Sequence, residues 1–291
     1  HGPVCSLFLD LRGCYQKIFG PNRGPLKGST MESPPLVWKD RFVVRSYEID
    51  ANHRAKVQTL TNYVQEIAIQ HAVALGIAKE HLPENRSWML SRLTLEIDRW
   101  PRWGDAIEVE TWPSDIDRML AYRDYLFTNE AGERIAAGTS SWFIVDLAKR
   151  RMVRHPETFR QFSLPERPRA LPAESLSKLP MAEDAGRRKE FNVRWGETDV
   201  NGHANQSAYI DWAMEALPRE VRESWEPRSL EIAFRQECRH GERVASFCAT
   251  LDDGVFLHQL KREDDGAELA RLRTRWANHI PRSAPEKRRP A

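Results

Sequence analysis

The most informative feature of the chain is one arrangement of apolar and polar positions that occurs twice. Apolar side chains recur at helical spacing over residues 57–75, and Gly76 provides a suitable helix end. The same spacing returns over residues 209–216, where Asn205 is a natural N-cap and Pro218 follows the last apolar position. Each region is therefore predicted to form one helix with a buried face.

Alternating apolar and polar positions follow each helix and predict β-strands. A long segment begins at Leu93 in the first half and at Leu230 in the second. The shorter segments that follow cover residues 106–112, 123–128 and 135–145, and then residues 243–249, 256–261 and 268–276. Turn residues at 129–132 and 264–266 join neighbouring segments as hairpins. We predict a short strand, a helix and a four-stranded antiparallel meander in each half.

The two halves align as an internal repeat, because residues 93–105 match residues 230–242 without a gap. Proline-rich sequence with little pattern separates them and is interpreted as a linker. The predicted organisation is a disordered extension (1–34), an N-terminal unit (35–154), a linker (155–189), a C-terminal unit (190–278) and a disordered tail (279–291). The fold class is α+β, built from two tandem units.

Composition narrows the class of protein. Apolar residues make up 41% of the chain and charged residues 30%, which suits a globular protein with a sizeable core. A net charge of +2 does not indicate a dedicated nucleic-acid binder, and no apolar run is long enough to cross a membrane. Four scattered cysteines without a CxxC pair fit a reducing compartment.

Candidate chemistry lies where the halves differ. The second helix is preceded by Asp199-Val-Asn201-Gly-His203-Ala-Asn205, whereas the first half has Asp50-Ala-Asn-His-Arg-Ala-Lys, which we expect to be spaced differently after the aspartate. The second half also has Glu237 where the first has Trp100. Glu237 is expected in the first long strand, facing the loop, and the N–H groups of the following helix could stabilise an oxyanion. The same loop also suits plain turn and cap chemistry, so the pattern alone leaves both interpretations open.

Three segments carry a resemblance to a known family. Trp195-Gly-Glu-Thr-Asp199-Val-Asn201-Gly-His203-Ala-Asn205 with Tyr209-Ile-Asp-Trp212, and Leu230-Glu-Ile-Ala-Phe-Arg-Gln-Glu237-Cys238, resemble the signatures of acyl-acyl-carrier-protein thioesterases. Ser46-Tyr-Glu-Ile-Asp50 with Leu60-Thr-Asn62-Tyr-Val-Gln-Glu66 is similar to the start of their first half. The resemblance spans about residues 37 to 277 and implies a double hotdog fold, in which a sheet wraps each helix.

The resemblance places the functional positions on Asp199, Asn201, His203 and Glu237. We hypothesise that Glu237 or Asp199 activates water, that Asn201 donates a hydrogen bond to the substrate or the water, and that His203 orients a carboxylate or polarises the carbonyl. Cys238 matches a cysteine once considered a nucleophile in the family. Its position next to Glu237 on a strand would point its side chain away from the site.

The expected reaction is hydrolysis of a fatty acyl thioester on acyl carrier protein, which releases free fatty acid. Alternatives are an acyl-CoA thioesterase and a non-catalytic acyl-binding protein. No cofactor or metal motif is present. Candidate docking residues for the acidic carrier are basic clusters at 149–151 with Arg154, and at 187–189.

The candidates for lining an acyl-chain tunnel are the first helix, residues 57–75, and the strand around residues 88–90, and the sequence does not separate this role from ordinary core packing. Neither stable membrane insertion nor nucleic-acid binding is expected. The fused repeat is compatible with a monomer or a homodimer. We expect a cytoplasmic protein, or a protein of the plastid stroma if the source is a plant or alga.

Overall fold

A computed structural model describes residues 35–78, 81–83, 85–156, 163–172, 176, 178–181 and 186–278. The extension and the tail predicted at the two termini lie outside these residues. Among the helices of the described residues, none has the length and apolar character needed to span a bilayer.

Both expected helices are present. Helix α1 comprises Val57–Ala74, and Gly76 follows it with a φ of 69°, as a helix-ending glycine does. Helix α2 comprises Gln206–Glu215, and the side chain of its N-cap Asn205 accepts the N–H of Ser207 at 3.0 Å. A short helix that the pattern did not predict, α3 (Arg219–Ser224), follows.

Among the residues that the structure describes, eleven strands form one antiparallel sheet. The N-terminal half contributes β1 (Trp38–Val43), β2 (Arg86–Ile97), β3 (Ala106–Ile116), β4 (Ala121–Asn129), β5 (Arg134–Asp146) and β6 (Arg151–Val153). The C-terminal half contributes β7 (Arg187–Asn192), β8 (Trp225–Phe234), β9 (Arg243–Asp252), β10 (Val255–Arg262) and β11 (Glu268–Asn278). The predicted linker boundary at residue 189 therefore falls inside β7.

The predicted four-stranded meander is wrong in its strand order. The sheet runs β1-β3-β4-β5-β2-β8-β11-β10-β9-β7, with β6 paired to β5. Tight turns join β3, β4 and β5 as a meander, but β2 pairs with β5 rather than with β3. The reason is the longer connection of residues 98–105, which carries the chain across the sheet instead of turning it back. The second half repeats this order with β8 beside β11.

The halves meet at the pairing of β2 with β8, where Leu93 lies opposite Ile232 and Leu95 opposite Leu230. These residues belong to one buried cluster that also contains the apolar faces of α1 and α2. The helices are linked directly, since Gln58 Nε2 donates to Asp211 Oδ1 at 3.0 Å. One continuous sheet around two central helices is the double hotdog architecture.

The described part of the linker lies against the sheet. The guanidinium of Arg167 is 3.9 Å from the ring centroid of Trp112 and pairs with Glu110. Two residues on, Arg169 pairs with the fully buried carboxylate of Asp124, which also accepts the N–H of Ala170 at 2.7 Å. A buried carboxylate needs such partners, so this contact holds the linker on the N-terminal half.

Candidate active site

The loop before α2 is closed by hydrogen bonds to its first aspartate. Asp199 Oδ1 accepts the N–H of Asn201 at 2.8 Å and that of His203 at 3.2 Å. The N–H of Asp199 donates to the carbonyl of His203 at 2.7 Å. Gly202 completes the turn with a φ of 74°, a conformation that favours glycine. The aspartate therefore fixes the direction in which the His203 side chain leaves the loop.

The corresponding loop of the N-terminal half has the same conformation. Asp50 Oδ1 accepts the N–H of Asn52 at 2.8 Å and of Arg54 at 3.0 Å, and Asp50 N donates to the Arg54 carbonyl at 2.7 Å. His53 takes the position of Gly202, with a φ of 59°. The expected difference in spacing is thus wrong, because the aspartate bonds the same two following amides in both loops.

Glu237 lies beyond the end of β8, not within the strand as predicted. The N–H groups of Arg235 and Gln236 both donate to the Leu269 carbonyl, at 2.9 and 3.1 Å, and the regular ladder stops there. The chain then pairs with the loop before α2, where Ala204 N donates to the Cys238 carbonyl at 2.8 Å. This pairing, rather than strand geometry, brings Glu237 to the loop.

The side chains of His203 and Glu237 are in contact and partly exposed, and the surface around them is called here the cleft. His203 Nδ1 is 3.3 Å from Glu237 Oε2, and the side chains are 21% and 32% exposed. On the other side of the ring, Arg239 Nη2 is 3.2 Å from His203 Nε2. The arrangement provides a carboxylate that is held on one side and open to solvent on the other.

Arg150 approaches the same carboxylate from the N-terminal half. Its Nη2 is 3.9 Å from Glu237 Oε1, and it lies in the turn between β5 and β6 with a φ of 50°. From the sequence, the positive charge at residues 149–151 is predicted only to form a docking surface. Its proximity to Glu237 depends on the packing of one half on the other, which sequence spacing does not reveal.

The start of α2 is less available to an oxyanion than expected. Asn205 uses its side chain to accept the Ser207 N–H and its carbonyl to accept the Ala208 N–H at 2.9 Å. Two N–H groups of the first turn are therefore occupied by the cap. The side-chain amide of Asn201 lies on the exposed loop, 3.4 Å from Asp199 Oδ2.

Comparison with known proteins places the chain in a family. Residues 35–162 match the family model of the acyl-ACP thioesterase N-terminal domain, and residues 181–278 match that of the C-terminal domain. The chain belongs to the acyl-ACP thioesterase family. Within this family it is 35% identical over 263 residues to a chloroplastic palmitoyl-acyl carrier protein thioesterase of Gossypium hirsutum, covering 83% of this chain and 64% of that protein.

A second relative is the chloroplastic oleoyl-acyl carrier protein thioesterase 1 of Arabidopsis thaliana, 30% identical over 285 residues, with 86% of this chain and 79% of that protein covered. The chain thus spans less than two thirds of the cotton relative but more of the Arabidopsis one. Among solved structures, the 12:0-ACP thioesterase from Umbellularia californica matches with a TM-score of 0.76 and 25% identity, over 84% of this chain and 98% of that chain. An acyl-ACP thioesterase from Bacteroides thetaiotaomicron shows the same fold, with a TM-score of 0.74 and 23% identity, over 85% of this chain and 100% of that chain.

The four predicted positions of this acyl-ACP thioesterase family member form one connected group. His203 contacts Glu237 through its ring and Asp199 through its backbone N–H. Asn201 contacts Asp199, with Nδ2 and Oδ2 3.4 Å apart. The two carboxylates have different neighbours: Asp199 bonds groups of its own loop, whereas Glu237 contacts side chains of two other segments, His203 and Arg150. Glu237 therefore connects separate segments of the chain, and Asp199 stabilises one loop.

Cys238 faces away from this group. Its side chain is fully buried, and its Sγ is 3.4 Å from the Tyr209 hydroxyl. Burial raises the pKa of the Cys238 thiol to about 11, so the thiolate is scarce at neutral pH. The expected separation from Glu237 is confirmed, although the segment is a loop and not a strand.

The strand segment expected to line an acyl pocket, residues 88–90, lies in β2. Trp88, Met89 and Leu90 are half-buried in β2, and Trp88 packs against a small apolar cluster that includes Leu82 and Ile144. A separate cavity of about 560 Å³ lies between α1 and α2. Its lining is mostly polar, including Gln58, Glu66, Glu197 and Asp211, and so does not suit an acyl chain.

The two basic clusters differ in their surroundings. On β7, Arg188 pairs with Glu190 and Glu263, and Lys189 pairs with Glu215. The cluster at residues 149–151, called here the basic turn, is exposed and adjoins the cleft through Arg150. Within the described ranges, no three His, Cys, Asp or Glu side chains are grouped so that they could hold a metal ion. The absence of a metal or cofactor from the reaction stays a prediction.

Proposed function

We propose that this protein hydrolyses the thioester of a fatty acyl chain carried on acyl carrier protein, releasing free fatty acid and ending chain elongation. Its relatives are named for thioesters of this kind. The observation that carries the proposal is the Glu237 carboxylate, held 3.3 Å from His203 Nδ1 in an open cleft that both halves border. A carboxylate fixed in this way can act as a general base.

In the proposed reaction Glu237 takes a proton from a water molecule as the water oxygen attacks the thioester carbonyl carbon. The C–S bond of the resulting tetrahedral intermediate then breaks, and the thiolate of the carrier's prosthetic group leaves with the proton from Glu237. The products are one fatty acid and one free thiol. No covalent acyl-enzyme is formed, which agrees with the burial of Cys238.

The other members of the group position these atoms. Asp199 keeps the loop closed, so that His203 and Asn201 hold fixed orientations. His203 orients the Glu237 carboxylate, and the Asn201 amide donates to the carbonyl oxygen, where negative charge develops. The acyl chain extends from the cleft toward Trp88–Met89–Leu90 of the N-terminal unit.

The charge around the cleft suits an acidic carrier protein as the partner, and the choice against coenzyme A, which is also anionic, rests on a direct comparison of the two substrates. The basic turn offers exposed positive charge next to the cleft, whereas the cluster on β7 is neutralised by glutamates. Exposed charge of one sign accelerates the docking of an acidic partner. A single chain supplies both sides of the cleft, so a monomer suffices and a homodimer is compatible. The reaction would take place in the cytoplasm, or in the plastid stroma of a plant or alga.

The decisive experiment measures free fatty acid release from matched acyl carrier protein and acyl-CoA substrates over several chain lengths. Glu237→Gln keeps the shape of the side chain but removes the base, so kcat should fall by about 10² to 10⁴-fold. Glu108→Gln is the control, because Glu108 is an exposed glutamate of β3 that pairs only with Lys39 among the contacts of the described residues.

The proposed reaction and its site would be supported if the wild-type protein prefers the carrier substrate and if hydrolysis is lost in Glu237→Gln but kept in Glu108→Gln. Faster hydrolysis of acyl-CoA would retain the chemistry and replace the partner. Failure of the wild-type protein to release fatty acid from either substrate would refute hydrolysis and leave an acyl-binding protein.

Docking is tested separately by reversing charge on the basic turn without changing Arg150. Lys149→Glu with Arg151→Glu should raise KM for the carrier substrate by about tenfold at low salt and leave kcat nearly unchanged. Arg188→Glu on β7 is the matched control. An equal rise in KM for both variants would show a general effect of charge rather than a docking surface.

A further inference from the structure

Arg239 contacts His203 on the side of the imidazole ring opposite Glu237. Its Nη2 lies 3.2 Å from His203 Nε2, while Glu237 Oε2 lies 3.3 Å from His203 Nδ1. The imidazole is therefore held between a cation and an anion, one at each ring nitrogen. Sequence reasoning did not identify Arg239, because its residue type carried no signal beside Glu237 and Cys238.

The backbone fixes where the Arg239 side chain begins. Residues 203 and 239 form an isolated β-bridge, and the neighbouring Ala204 N donates to the Cys238 carbonyl at 2.8 Å. The N–H of Arg239 donates to Glu242 Oε2 at 3.1 Å. The two segments are thus joined by backbone bonds next to the side-chain contact, so the guanidinium approaches His203 from a defined direction.

The hydrogen-bonding capacity of the two groups determines the position of the ring proton. A guanidinium only donates hydrogen bonds, and it stays charged at any physiological pH. His203 Nε2 must therefore accept, which requires a lone pair on that nitrogen. In a neutral imidazole the proton then lies on Nδ1, where it is donated to Glu237.

The N-terminal half offers a natural contrast. Arg102 occupies the position of Arg239 and bridges Arg54, and its N–H donates to Asp105 Oδ2 at 2.8 Å. Arg54 replaces the histidine and directs its guanidinium to Asp50 instead. The same arginine position therefore exists in both halves, but only the C-terminal one meets an imidazole.

We propose that Arg239 is a positioning residue that holds His203 in its Nδ1–H form, so that His203 donates to Glu237 and does not act as a general acid. This inference deepens the proposed function and rests on it only for the activity readout. It also excludes polarisation of the substrate carbonyl by His203 Nε2, because that nitrogen faces Arg239.

Arg239→Ala should lower kcat by about tenfold to a hundredfold, the loss typical of removing a group that orients a ligand or base, with KM little changed. Arg239→Lys keeps a charged donor and should restore part of kcat. Arg102→Ala is the matched control, since it removes the equivalent arginine of the other half, and it should leave kcat unchanged.

The spectroscopic test uses the ¹⁵N shifts of the His203 ring in full-length protein labelled at histidine, assigned by comparison with His203→Gln. In the wild type Nδ1 should be protonated and Nε2 bare at neutral pH. In Arg239→Ala the two nitrogens should move toward intermediate shifts as the other tautomer becomes populated, with an unchanged melting temperature.

An unchanged tautomer in Arg239→Ala would overturn the inference, and so would a loss of kcat in Arg102→Ala equal to that in Arg239→Ala. If the wild-type protein hydrolyses no substrate, the proposed function fails. The ¹⁵N shifts still decide whether Arg239 sets the tautomer, so the two failures can be told apart.

Discussion

The loops at residues 50–56 and 199–205 share one backbone conformation and have opposite uses. In the N-terminal loop Arg54 binds Asp50 and the Trp225 carbonyl, at 2.8 Å for the latter, so the loop connects its own half to the other. In the C-terminal loop His203 takes that position and meets Glu237. The turn closed by an aspartate is therefore compatible with either role. The residue at its fifth position, Arg54 or His203, determines whether the loop joins the halves or contacts Glu237.

The largest effect should come from converting one loop into the other. His203→Arg places in the C-terminal loop the residue that the N-terminal loop already accommodates, so the fold should persist. Arginine cannot orient Glu237 as a neutral donor, and kcat should therefore fall by about 10² to 10⁴-fold. Fatty acid release and the melting temperature of the variant would be measured together. Activity within tenfold of wild type would show that the imidazole is dispensable.

The closing aspartates should differ in their contribution to stability. Asp50→Ala removes turn hydrogen bonds and also the partner of Arg54, whose side chain is only 7% exposed, so we expect a loss of about 2–3 kcal/mol in the free energy of unfolding. Asp199→Ala removes only the turn bonds and should cost about 1 kcal/mol. Urea denaturation of both variants tests the difference. Equal losses would mean that the ion pair between Arg54 and Asp50 contributes nothing to the free energy of unfolding.

Two histidines are completely buried, one in each half, and both should make stability depend on pH. Burial, with the Arg123 charge added for His71, lowers the pKa of His71 and of His258 to about 3 from the ordinary 6.5. Because the unfolded chain binds these protons first, the stabilisation is complete above pH 6.5 and is lost as the pH falls toward 3. Each histidine adds a slope of about 1.4 kcal/mol per pH unit.

Denaturation of wild type, His71→Asn and His258→Asn at several pH values between 7 and 4 isolates these contributions from those of the carboxylates. Each variant should show a shallower slope than wild type. A variant whose slope equals that of wild type would mean that its histidine titrates normally in the folded protein.

A smaller effect is expected from the turn position that differs between the loops. Gly202→Ala introduces a side chain at a φ of 74°, where no atom lies within 4 Å of the added Cβ, so only backbone strain opposes it. The cost should be about 1 kcal/mol. His53, at a φ of 59°, already bears this strain, and His53→Gly should relieve part of it. Thermal melts of both variants would contradict this account if Gly202→Ala were as stable as wild type.

The smallest effect is expected at the position after the carboxylate, where Cys238 corresponds to Pro101. Both carbonyls accept an N–H from the adjacent loop, at 2.8 Å in each half, so the backbone and not the side chain is used in common. Cys238→Ala should keep kcat within about twofold of wild type, since the thiol is buried and protonated. Complete loss of activity in a folded variant would revive the nucleophilic cysteine.

Local patterns predicted much of this fold because their causes are local. The helical spacing of α1 and α2, the Asn205 cap and the glycine after α1 depend on neighbours within a few residues. The order of β2 in the sheet depends instead on a crossover between distant strands, and alternation along a strand contains no information about which strand lies beside it.

The candidate site likewise contains residues that the sequence could predict and residues that only the packing of distant segments brings together. Asp199, Asn201 and His203 lie in one short loop and could be recognised together. Glu237 was identified by its difference from Trp100, but its place outside β8 follows from bonds to Leu269 and Ala204, which are remote in sequence. Arg150 and Arg239 reach the site only through packing, and no spacing in the chain reports them.

The contacts of Arg54 with Asp50 and with the Trp225 carbonyl bear on the number of active centres in each chain. The loop conformation is repeated, but in the N-terminal half its fifth position is occupied by Arg54, which pairs with Asp50 and donates to the Trp225 carbonyl of the other half. Under the proposed function we therefore expect one acyl-binding centre in each chain. In a binding titration with a non-hydrolysable analogue of the acyl-carrier substrate, the number of binding sites should equal the number of chains and not the number of repeats.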